Sequence, residues 1–137
     1  MKSSSLTSHD KKQILKILDA LSPSFVYLFG SASQNQLRPQ SDIDLAFYHP
    51  QKIDPFIQLE IREQLASYLH RDVDLIELSQ ANDVIRAQVI GRGQVLEAQD
   101  QNTLHAMQIQ WLKQYVMLNR ERKPIIDRIQ REGQIYG

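Results

Sequence analysis

Apolar residues follow two rhythms along this chain, and the changes of rhythm mark out its elements. Ile14, Leu15, Ile17, Leu18 and Leu21 keep helical spacing, which predicts an opening helix capped by Thr7 or Ser8 and ended by Ser22-Pro23. A short aromatic and β-branched run, FVYLF, occupies residues 25–29 and stops at Gly30, as a buried strand ending in a tight turn does. A polar stretch then leads into SDIDLAFY, a second strand closed by His49-Pro50. Asp54-Pro55 starts a helix whose broad apolar face carries Phe56, Leu59, Ile61, Leu65, Tyr68 and Leu69, the crossover back to the sheet. Val73, Leu75, Ile76 and Leu78 mark a third strand. Asn82 or Asp83 caps a further helix through Val84, Ile85, Ala87, Val89 and Ile90, which Gly91 or Gly93 ends before the short strand QVLEA.

From Asn102 the character changes. Leu104, Met107, Ile109, Trp111, Leu112, Tyr115, Val116 and Leu118 crowd more than one face of a long helix, and Arg120, Arg122 and Lys123 make its end basic. Pro124 is expected to break it, leaving a second short helix that stops at Gly133. The apolar and basic surplus here fits a partner surface, and core packing explains Trp111 and Leu112 equally well. The order of elements predicts a single α/β (α+β) domain, with a core at about residues 8–98 and a helical C-terminal segment at about 100–137.

Length and charge narrow the function. At 137 residues, 42% hydrophobic and 23% charged, the composition is that of an ordinary globular domain. Lys+Arg and Asp+Glu are 16 each, so no net field draws the chain to nucleic acid or to a membrane surface. It has no cysteine, no apolar leader and no stretch long enough to span a bilayer, which together predict a cytoplasmic protein. The four histidines, His9, His49, His70 and His105, are too scattered for a zinc site, and GSASQ lacks the glycine and lysine of a Walker A loop.

The chemistry concentrates in residues 25–48, FVYLFGSASQNQLRPQSDIDLAFY. Gly30 allows close backbone approach to a ligand, and Ser31 opening a helix offers a hydroxyl and free N–H groups, so Gly30-Ser31 outlines an anion cradle. Asp42 and Asp44 are two apart on an extended strand, so both carboxylates leave one face. Like charges that close need a neutraliser, and beside a phosphate cradle the all-oxygen choice is Mg²⁺. Ten residues separate Ser31 from Asp42, and the segment resembles the GSx10DxD signature of the nucleotidyltransferase superfamily that includes DNA polymerase β. It is most similar to the MntA-like minimal nucleotidyltransferases, the antitoxins of HEPN/MNT toxin–antitoxin pairs.

That resemblance, carried by residues 25–96, implies the superfamily's mixed sheet, with helices on one side. It implies two Mg²⁺ ions and ATP as substrate. By the match, Asp42 and Asp44 hold the metals, Asp74 in VDLIEL is the third carboxylate, on the metal nearer the nucleophile, and Gly30-Ser31 grips the β/γ-phosphates. Asp72, beside Arg71, is read as solvated, Arg38 and Ser41 as turn residues, and Arg86 and Arg92 as candidates to reach a triphosphate. The resemblance further implies transfer of AMP to a tyrosine of a cognate HEPN ribonuclease toxin, which silences it, with no direct nucleic-acid binding. Two other readings stay open: an antitoxin that only covers its toxin, and transfer to a small hydroxylated molecule.

Overall fold

The computed structural model describes residues 6–30 and 42–136, with side chains as far as residue 131 apart from 126 and 130. Helix α1 (Ser8–Leu18) begins at Thr7, whose Oγ1 accepts from the Asp10 N–H at 3.0 Å while the Asp10 carboxylate accepts from the Thr7 N–H at 3.2 Å. This reciprocal cap satisfies two donors that an open helix end leaves to water. A 3-10 turn, Asp19–Leu21, prolongs the helix to Ser22, which takes a left-handed φ of 48° ahead of Pro23. Strand β1 (Phe25–Phe29) follows, and β2 (Ile43–Tyr48) pairs with it antiparallel.

Asp54 caps α2 (Pro55–Leu69) by accepting from the Phe56 N–H, with Pro55 in the first turn, where no N–H is missed. His70 ends the helix in a left-handed conformation, φ 53°, its backbone N–H donating to the Ala66 carbonyl. Strand β3 (Val73–Glu77) then lies parallel to β2, the pairing that a helical crossover permits. Leu78, expected in the strand, instead opens a 3-10 turn, Leu78–Gln80, that leads to α3 (Asp83–Arg92) with Asn82 as its cap. Strand β4 (Gln94–Ala98) pairs antiparallel with β1, giving a four-stranded mixed sheet of order β3-β2-β1-β4.

Helices cover both faces of this sheet, where one had been expected. Alternation along β1 sends Val26 and Leu28 into a cluster with Ile14, Leu18, Ile61 and Leu65 from α1 and α2. It sends Phe25 and Tyr27 into a second cluster with Val89 of α3 and Leu104 and Trp111 of the last helix. The reason lies in FVYLF itself, which has no polar position to turn toward water, so each of its faces needs a cover.

The last helix, α4 (Gln101–Tyr136), runs through Pro124 without ending. A proline inside a helix costs ~3 kcal/mol through one lost hydrogen bond and a clash with the carbonyl four residues earlier. Here both Arg120 and Pro124 are exposed, so the Arg120 carbonyl can turn to water. Trp111 and Leu112, alike by sequence, separate: Trp111 is 1% exposed in the second cluster, while Leu112 is 41% exposed on the outer face. Gln108 ties α4 to the sheet by donating from Nε2 to the Tyr27 hydroxyl at 2.6 Å. Among the described residues no helix is long and apolar enough to cross a membrane.

Candidate active site

Three strand ends meet where β1 stops and β2 and β3 begin. Asp44 lies opposite Phe29 of β1 and, in the parallel ladder, beside Asp74 of β3. The Ile43 N–H donates to the Asp72 carbonyl at 2.9 Å, which fixes the start of β2 against the start of β3. Alternation puts Asp44 on the side of Ala46 and Asp74 on the side of Ile76, and both of those residues belong to the α3/α4 face. Asp42, just ahead of β2, shares the parity of Asp44. The strand register thus places Asp42, Asp44 and Asp74 at one rim of the sheet.

Their environments differ. Asp42 and Asp74 are exposed, whereas Asp44 is half-buried. Burial, first, and then the charges of Asp74 and Asp42 push the Asp44 carboxyl group above the usual aspartate range. Gly30 closes over the same residue with a left-handed φ of 71°. A β-carbon at that position would collide with Oδ2 of Asp44 and stand 3.2 Å from its Cγ. The glycine was expected for approach to a ligand, and the structure adds a second demand on it, close approach to a carboxylate. Ser31, Arg38 and Ser41 lie outside the described residues.

The other acidic and basic candidates sort by position. Asp72 is exposed, as read from sequence, and borders the cleft beside the cluster. Glu77, buried on the opposite face, accepts from the Ser79 hydroxyl at 2.9 Å and is occupied within the fold. Arg86 does not reach the carboxylates. Its Nε and Nη2 each donate at 2.8 Å, to the Leu78 and Ser79 carbonyls, and its guanidinium lies 5.1 Å from the centre of the Trp111 ring. That holds it at the far end of β3 from Asp74. Arg92 closes α3 at an exposed position. Arg62 and Glu63 of α2, which sequence reasoning passed over, line the cleft next to Asp42 and Asp74. Only the docking of α2 against the head of β3 brings them there, and no local pattern announces it.

The donor set is all carboxylate oxygen, the chemistry that suits a hard divalent cation. The raised proton affinity of Asp44 comes first from burial and then from the charges of Asp74 and Asp42, and a cation there would offset that like-charge share. Among the described residues no group of three or more Asp, Glu, His or Cys side chains is arranged to hold a metal ion. Asp42, Asp44 and Asp74 thus match such an ion in the chemistry of their oxygen donors, while their arrangement here is not that of a formed metal site.

Residues 12–102 match the family model described as polymerase beta, nucleotidyltransferase. Over 121 residues, 86% of each chain, the sequence is 36% identical to the protein adenylyltransferase MntA of Shewanella oneidensis. A crystal structure of a toxin–antitoxin with AMP-PNP aligns at a TM-score of 0.79 and 34% identity, over 88% of this chain and 98% of its own. A structure of a tri-AMPylated Shewanella oneidensis HEPN toxin in complex with MNT antitoxin aligns at 0.76 and 31%, over 91% and 99%.

Proposed function

The chain belongs to the polymerase β nucleotidyltransferase family, and from that premise we propose that it is an antitoxin which transfers AMP from ATP to a tyrosine hydroxyl of a cognate HEPN ribonuclease toxin. The observation that carries this reading is Asp44, pressed under Gly30 and flanked by Asp42 and Asp74, in a chain that keeps its likeness to a protein adenylyltransferase along 86% of its length. This reading places the protein in the cytoplasm, where ATP is available to it.

In the transfer, the tyrosine oxygen bonds to the α-phosphorus of ATP, the bond from that phosphorus to the bridging oxygen breaks, and pyrophosphate leaves. The protein has to hold the two in line and offset charge on the phosphoryl oxygens. The order of the sheet supports a division of labour. Gly30, at the end of β1, puts no side chain between the sheet end and the triphosphate, and Ser31 is assigned to the same phosphates from sequence. Asp42 and Asp44, on β2, form the anionic floor under the reacting phosphorus. Asp74, on β3, stands on the acceptor side. Divalent magnesium held by these carboxylates would lower the pKa of the attacking hydroxyl and balance the triphosphate's charge.

The toxin's intact mass, after incubation with this protein, ATP and Mg²⁺, is expected to rise in steps of one AMP. Asp42→Ala/Asp44→Ala is expected to abolish the rise while binding persists. A toxin that is bound and neutralised by the wild-type chain yet gains no mass would refute transfer and leave steric cover as the function.

A further inference from the structure

On the side of Asp74 away from Gly30, the heads of β2 and β3 and the flank of α2 enclose a cleft of about 450 Å³, lined by Asp42, Asp72 and Asp74 and by Arg62 and Glu63. Its volume lies in the roughly 300–1,000 Å³ range of pockets that enclose a whole small ligand, more than one phenol side chain requires. Among the described residues lining it, Arg62 is the sole cation. Its ion pair is with Glu63, the next residue, at 3.0 Å and with side chains 44% and 65% exposed. Such an exposed pair contributes little, and a guanidinium has five N–H donors, so Arg62 keeps donors for an anion.

A similar antitoxin is found with a tri-AMPylated toxin, and where successive AMP units are joined to one side chain the acceptor changes after the first step. The first acceptor is a neutral phenol. Each later acceptor is a ribose hydroxyl on an AMP already joined through a phosphodiester, which carries one negative charge. A cleft edged by carboxylates is indifferent to the first and repels the second unless a cation answers it. Room and cation are both present here, on the acceptor side of the cluster.

We propose that this cleft is the subsite for the AMP already attached, and that Arg62 is the specificity-determining residue that admits it by binding its phosphodiester. The inference rests on the transfer reading above. In the second step the ribose hydroxyl oxygen bonds to the α-phosphorus of a fresh ATP, the α–β phosphoanhydride bond breaks, the hydroxyl proton passes to water, and pyrophosphate leaves with the bonding electrons. Arg62 orients the attached nucleotide toward Asp74 and takes no part in that exchange.

The test is a time course of intact toxin mass with wild-type, Arg62→Gln and Arg62→Lys proteins, fitted for the rate of each AMP addition. Arg62→Gln is expected to lower the second addition relative to the first by about tenfold or more, the scale of a lost hydrogen bond to a charged group. Arg62→Lys is expected to restore much of the ratio, since it keeps the charge. An unchanged ladder with Arg62→Gln overturns the proposal, and so does equal slowing of every step, which would mark a general structural role. A wild-type chain that adds no AMP at all overturns the transfer reading beneath it, an outcome distinct from either.

Discussion

Asp44 carries the site's electrostatic tension in one side chain. Its proton is held above the usual aspartate range by burial and by Asp74 and Asp42, so the folded chain binds that proton more tightly than the unfolded chain does. The sign follows from this. Stability is favoured below the unfolded value and is lost as pH rises through the folded one, so at neutral pH the ionised group opposes folding. Asp44→Asn is expected to raise the melting temperature of the metal-free protein at pH 7 by roughly 1–4 °C, the scale of a sub-kcal/mol change in a domain this size. The advantage should shrink as pH falls and vanish below the unfolded value, and melts taken from about pH 3 to 7 would show it. The same substitution should abolish AMP transfer, so stability and activity move in opposite directions. An asparagine variant less stable at every pH would contradict this account.

Between elements, the clearest lesson is Arg86. By sequence it is one of two arginines placed to reach a triphosphate. In the fold it binds the 3-10 turn after β3 to α3 and stacks on Trp111 of α4, joining three elements through one guanidinium. Arg86→Ala is expected to cost about 2–3 kcal/mol, from charged hydrogen bonds and a partly desolvated ring contact. It should leave the KM for ATP within about twofold, and a large rise in that KM at temperatures where the variant is folded would return Arg86 to the triphosphate. The carboxylate pair was legible because a spacing of two on a strand fixes a shared face, and Asp74 because the superfamily places its third carboxylate on a neighbouring strand. Arg62 was not, since its position depends on how α2 packs, and residues 42, 62 and 74 share no periodicity. Pro124 was misread for a related reason: its local penalty holds, and only the exposure of Arg120 and Pro124 in α4 makes the continuing helix tolerable. The bare apolar run of β1 did contain the sign of a two-sided sheet.

At the scale of the molecule, α4 outgrows the domain that anchors it. Its 36 residues correspond to about 54 Å at the helical rise of 1.5 Å per residue. Leu104 and Trp111 bind its first half into the core, but from Asn119 onward every described side chain is exposed. Ile109, Leu112, Val116 and Met117 form an apolar groove along the outer face, with Lys113 and Arg120 beside them. A chain stopped after Leu118 is therefore expected to keep its melting temperature within about 2 °C, since surface changes away from the core move stability by about 0.5 kcal/mol or less. A larger drop, measured by thermal melting, would mean that the distal turns support the body. The two cores consist of apolar side chains, and Asp42, Asp44 and Asp74 stand at the rim outside both. The residues that build the cores are thus not the residues that carry the chemistry, and Asp44 weakens the fold without being part of either core. A lineage can lose the reaction through one substitution and keep the scaffold intact, so drift in such genes should leave silent copies that still fold and still occupy a partner.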